Sequence, residues 1–194
     1  MDISKKRKLT ILLLVIIAFF IFVISTIAFR VYNKKTNNVI TFGNIKMQLL
    51  HTTLNENNDE IQINNDEEFN IINNSNLNRM IKVKNLGKHE FFLRISLEMI
   101  GINENNEELD ANNLVKYNIN LNDWIYKEGW YYYKNIVKEG EVTSNLIDGM
   151  NFDVNNITLN YQDWKFKFDV NAQAVQAKNN ATNVLGAVGW PENK

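Results

Sequence analysis

The chain has 194 residues, 45% of them hydrophobic and 22% charged, with a formal net charge of −1 and no cysteine. Disulfide frameworks, thiol nucleophiles and thiolate zinc sites are excluded, so the fold must rest on its apolar core alone. The near-neutral balance leaves no basic stripe of the kind that binds nucleic acid.

In chain order, Lys5, Lys6, Arg7 and Lys8 stand directly before an apolar run, residues 9–29, that begins at Leu9, ends at Phe29 and is broken only by Thr10, Ser25 and Thr26. Roughly 20 residues at about 1.5 Å per residue match a hydrocarbon core of about 30 Å. An N-terminal hydrophobic helix inserted in the membrane is expected, with the basic cluster on the cytoplasmic side and the remainder translocated. Thr26-Ile27-Ala28 offers a small-x-small site at which a signal peptidase would cut between Ala28 and Phe29; retention of the run as an anchor is the alternative. The expected division is therefore residues 1–28 as signal peptide or anchor, residues 29–38 as a flexible polar segment, and residues 39–194 as one exported domain without linker or repeat. Setting aside the four N-terminal basic residues and Asp2 leaves 17 basic and 21 acidic residues, a net charge of about −4. A translocated domain without cysteine is common on Gram-positive bacteria, and the Asn- and Lys-rich, Pro-poor usage suggests an AT-rich genome, so an extracellular or cell-surface bacterial protein is expected.

Beyond that point apolar residues recur with period two, the signature of strands buried on one face. Val39-Ile40-Thr41 leads into Ile45, Met47 and Leu49. Ile81 and Val83 follow, and then Phe91, Leu93, Ile95, Leu97 and Met99, with Arg94, Ser96 and Glu98 opposite. Tyr117, Ile119 and Leu121 form a shorter run; Phe166, Phe168, Val170, Ala172 and Ala174 alternate with Lys165, Lys167, Asp169, Asn171 and Gln173. Gly87, Gly129, Gly140 and Gly149 fall between these runs and read as turns. Many short alternating strands predict an all-β, antiparallel β-sandwich. The acid- and Asn-rich stretches 55–68 and 103–113 read as exposed loops.

Chemistry-bearing motifs are sparse. His51 and His89 belong to no His-Glu-x-x-His helix and read as exposed histidines at strand edges. No serine lies in a Gly-x-Ser-x-Gly turn. Asp59, Glu60, Asp66, Glu67 and Glu68 lack the spacing of a calcium loop. No catalytic residue, cofactor or metal ligand is assigned. The segment from Trp124 to Tyr133 reads as an aromatic hairpin turning at Glu128-Gly129, with Trp124 and some tyrosines in the core; a ligand or glycan platform is the sharper alternative.

Gly129-Trp130-Tyr131-Tyr132-Tyr133-Lys134, followed by Val137-Lys138-Glu139-Gly140-Glu141-Val142-Thr143, resembles the "gly-aromatic-tyr-tyr … leu-lys-pro-gly-glu-thr-thr" segment of the TasA/camelysin-like exported proteins of Gram-positive bacteria. The tail, Val170-Asn171-Ala172-Gln173-Ala174-Val175-Gln176-Ala177 with Gly189-Trp190-Pro191, is similar to that family's terminal strand. Lys82-Val83-Lys84-Asn85-Leu86-Gly87 resembles its "val-lys-asn-x-gly" turn, and Ser25-Thr26-Ile27-Ala28-Phe29 its signal region. Ser25 stands in place of a glycine, Arg30-Val31 in place of Phe-Thr, and Glu139 in place of the turn proline.

The resemblance implies a jelly-roll sandwich at the cell surface, with some members building biofilm-matrix fibres and others described as casein-cleaving metalloproteases. A protease requires a metal-bound water and a base, and no set of residues supplies them, so a non-enzymatic protein is expected. A camelysin-like metallopeptidase and a membrane-anchored, non-polymerising surface domain are the alternatives. The expected assembly segment contains Asn33, Val39 and Thr41. Once freed from the membrane, it adds as a strand to the sheet edge of another copy or a related matrix subunit, and a head-to-tail contact that does not close extends into a filament.

Overall fold

Strands that bury one face satisfy the two-residue alternation, and the computed structural model, which describes residues 39–42, 44–63, 67–70, 76–152, 161 and 164–191, contains thirteen of them. They are β1 (Val39–Phe42), β2 (Ile45–Leu54), β3 (Glu60–Gln62), β4 (Glu68–Phe69), β5 (Asn76–Leu77), β6 (Met80–Asn85), β7 (Phe91–Ile102), β8 (Glu108–Asp110), β9 (Val115–Ile119), β10 (Trp124–Lys127), β11 (Trp130–Tyr133), β12 (Ile147–Phe152) and β13 (Lys165–Gln176). Their pairings are antiparallel. The protein is all-β and sandwich-like. The expected membrane helix, with Ala28 and Phe29 at its end, and the polar segment containing Asn33 lie outside the described residues. Among the described residues, no helix is long and apolar enough to cross a membrane.

One layer runs β10-β11-β7-β13-β4, with β8 on the same edge of β7 as β11. Its spine is the twelve-residue register between β7 and β13, from Phe91 opposite Gln176 to Ile102 opposite Lys165. In the other layer β2 is central, with β1 and β3 on one edge and β6 on the other. A segment without regular strand pairing joins β6 to β12. Thr143 N donates to Val83 O at 2.9 Å, Leu146 N to Ile81 O at 2.7 Å, and Asn85 N to Glu141 O at 2.9 Å. Through this seam the β5-β12-β9 sheet continues the β1-β2-β6 sheet.

The core lies between the layers. Ile45, Met47, Leu49, Ile81, Val83 and Met150 from one meet Phe91, Leu93, Ile95, Met99, Phe166 and Phe168 from the other. The alternation read in β7 and β13 is observed, with Leu97 half-buried. Leu121 departs from its expected run: it lies beyond the end of β9 and is exposed.

Two expected loops hold more order than their composition suggested. Asn55-Glu56-Asn57-Asn58-Asp59-Glu60 and Asn103-Glu104-Asn105-Asn106-Glu107-Glu108 are a local repeat, and they fold alike. In each, the first Asn side chain accepts from the backbone N–H groups two and four residues on, at 2.8–2.9 Å, and the fourth residue takes a left-handed φ near 60°. This Asn-centred turn closes the β2-β3 hairpin in one layer and the β7-β8 hairpin in the other. The stretches 55–68 and 103–113, expected as exposed loops, are largely exposed where they are described but contain β3, the start of β4 and β8, so the loop reading is corrected there.

The glycine reading holds at Gly129, where Glu128 and Gly129 have φ of 51° and 83° and close a two-residue hairpin turn. It fails at Gly149, which lies inside β12 where the register shifts between Ile147 and Met150. Gly101 also lies inside a strand, because a Cβ there would sit 2.9 Å from Trp164 Cε3.

Candidate functional site: sheet edges and the aromatic face

Of the expected assembly residues, Val39 and Thr41 fall in β1, which pairs with β2, Val39 opposite Gln48 and Thr41 opposite Lys46. Among the described residues no further strand pairs with the other side of β1. The described part of the sandwich thus begins with a four-residue strand at its edge, presenting one row of backbone donors and acceptors, the template for strand addition.

His51 and His89 are not brought together. The reading of His51 as exposed is corrected: its side chain belongs to the inward set of β2, is 2% exposed and meets Phe168 edge-on at 5.5 Å. His89 is exposed in the turn before β7. The acids are dispersed into local pairings. Glu60 takes the Lys82 ammonium at 2.6 Å, and that hydrogen bond holds its carboxyl below the ordinary range. Glu68 pairs with Lys165 at 3.0 Å, while Asp59 accepts from Asn55 Nδ2 at 3.4 Å; Asp66 lies outside the described residues. Among the described residues, no three His, Asp or Glu side chains are grouped to hold a metal.

The aromatic hairpin is used on both faces. Cross-strand register sets Trp124 opposite Tyr133 and Tyr126 opposite Tyr131, with ring centroids 5.0 Å and 4.9 Å apart. Trp124 is buried in the main core, whereas Tyr126 is the exposed member of this row. Trp130 and Tyr132 point the other way and enter a second apolar cluster with Phe92, Val175, Ala177, Val184 and Ala187.

That second cluster was not legible in the strand alternation. The residues after β13 fold back over the outer face of the β7-β13 layer and cover it. Gln173, expected on a solvent face, is therefore only 3% exposed. Its Oε1 accepts from Arg94 Nε at 2.9 Å and Nη2 at 2.6 Å. The Arg94 guanidinium lies between two indoles, 4.1 Å from the Trp130 centroid and 4.7 Å from that of Trp190. The available signal was Phe92 and Val175, apolar residues on the face that alternation assigns to polar side chains.

Two open clefts flank Ile136. One, of about 640 Å³, is bordered by Phe92, Lys134, Lys138, Thr182 and Asn183; the other, of about 510 Å³, by Lys88, His89, Gln176 and Lys178. Lys134 Nζ is committed to the carbonyl oxygens of Leu121 and Asn122, and Asn183 Oδ1 to the N–H groups of Leu185 and Gly186. Comparison with protein-family models, with curated proteins and with solved structures finds no match.

Proposed function

We propose that this chain is an exported, non-enzymatic cell-surface or biofilm-matrix protein of the TasA/camelysin-like type, with a jelly-roll sandwich whose subunits assemble by strand addition. The observation that carries the reading is β1, an edge strand at the start of the described sandwich. In the sequence it directly follows the polar residues 33–38 and the apolar run ending at Phe29. A segment released by cleavage after Ala28 would extend along a neighbour's sheet edge, where main-chain pairing supplies affinity and alternate side chains supply register. Such a contact joins unlike surfaces of two identical copies and leaves a free edge at each end, so it propagates.

In this reading the partners are further copies of the chain or related matrix subunits, the signal peptidase, and the bilayer before cleavage; the site is the outer surface of a Gram-positive cell. The test compares residues 29–194 with residues 39–194 by sedimentation and electron microscopy. The longer form is expected to yield filaments and the shorter a folded monomer. Filaments of equal length from both would remove the N-terminal segment from the mechanism. Monomers from both under assembly conditions would favour a membrane-anchored, non-polymerising domain.

A further inference from the structure

The covering segment, residues 178–191, bonds mainly to itself. Asn180 brackets it, donating from Nδ2 to Val188 O at 3.0 Å and accepting at Oδ1 from Val188 N at 3.0 Å. Asn183 caps the short turn at Val184–Gly186, and Trp190 Nε1 donates to Ala187 O at 2.9 Å. Its root is held by Asn180, whose N–H and Nδ2 donate to Ala177 O and Gln176 O. Beyond that root, one hydrogen bond between the segment and the sheet is Arg94 Nη2 to Pro191 O, at a long 3.5 Å. What seats the segment is apolar contact at Val184 and Ala187, the edge-on packing of Trp190 on Tyr132 at 5.8 Å, and the Arg94 guanidinium against Trp190.

A segment whose polar groups are satisfied internally can leave the sheet without breaking a backbone ladder. Just past the end of β13, Asn179 has a φ of 61° and reverses the chain, which makes that turn the natural pivot. Arg94 stays in place when the segment leaves, because Gln173 Oε1 and the Trp130 ring hold it from within the sheet.

We propose that residues 178–191 form a hinged strap whose part beyond the turn at Asn179 opens as one unit, with Arg94 as its latch. Opening uncovers Phe92, Trp130, Tyr132 and Val175. It also dismantles the cleft that Thr182 and Asn183 wall, and leaves in place the one that Lys178 borders ahead of the pivot. By linkage, anything seated in the first cleft holds the strap closed, and anything that binds the bared aromatic face holds it open. The device is independent of the N-terminal segment.

NMR relaxation dispersion on the compact unit Asn38–Lys194 tests it, read at side chains on both sides of the covered face, because the strap amides stay bonded within the strap. The methyl groups of Val184 and Ala187 and those of Val175 beneath the strap are expected to share one opening rate, while the β7 and β13 amides stay protected from hydrogen exchange. Arg94→Gln should raise the open population about 10-fold. Trp190→Ala should raise it at least as far, because it removes the Tyr132 packing together with the Arg94 contact, and the double variant should exceed Trp190→Ala by little. Methyl groups that each move at their own rate, or that move only with unfolding of β13, would overturn the proposal. So would an unchanged open population in Arg94→Gln. If that variant unfolds the unit, Trp190→Ala decides the matter by the same readout.

Discussion

Tyr117 lies in β9 with its ring 5.5 Å from that of Phe168, and its hydroxyl meets no hydrogen-bond partner among the described residues. Burial, reinforced by Tyr131, Asp110 and Glu98, pushes its ionisation well above the ordinary tyrosine range. The folded protein therefore keeps a proton that the unfolded chain loses near pH 10, a reference value of about 10 for free tyrosine. The stability contributed by this difference is complete below that pH and declines as the pH rises through and beyond it. A buried hydroxyl without a partner costs about 1–3 kcal/mol. Tyr117→Phe is accordingly expected to match or exceed the native stability at neutral pH and to soften the alkaline decline. Urea denaturation at neutral and alkaline pH measures both, and a less stable phenylalanine variant at neutral pH would show that the hydroxyl is satisfied.

Among the elements, β7 displays how one strand serves two cores. Phe91, Leu93, Ile95 and Met99 face the space between the layers, while Phe92 enters the cluster beneath the strap. Ile95 is fully buried and Ser96 half-buried on the opposite face. Truncating Ile95 leaves a cavity between close-packed layers, so Ile95→Ala should cost about 2–5 kcal/mol, whereas Ser96→Ala should change stability by under about 1 kcal/mol. Chemical denaturation of the two variants is the check, and equal losses would contradict the assigned faces. The same element shows where alternation stops being informative. Phe92 and Val175 look misplaced when each strand is read alone, and they are explained once residues 178–191 lie over them. Gly101, likewise, has its reason in Trp164, more than 60 residues away in the chain.

At the scale of the molecule, the second layer depends on the seam beside β6. Thr143 is 5% exposed; it donates its N–H to Val83 O and accepts Val83 N at Oγ1, 3.0 Å away. Thr143→Val keeps the volume but leaves the Val83 N–H without that acceptor in a dry interior, an expected cost of about 1–3 kcal/mol by thermal or urea unfolding. Native stability in this variant would mean that another group or water takes the proton. The primary sequence alone determined the all-β class, the faces of β7 and β13, and the hairpin at Glu128-Gly129, because period-two burial and left-handed turns are local properties of short segments. It placed Val39 and Thr41 ahead of the first long strand but not their pairing as an edge. Only the tertiary structure decided that His51 is buried, that Arg94 lies between two tryptophans, that the Thr143 seam unites two sheets, and that the C-terminal residues cover the aromatic face. Each of those depends on which surfaces meet across the fold, and contacts between residues far apart in the chain leave no periodic trace in either partner.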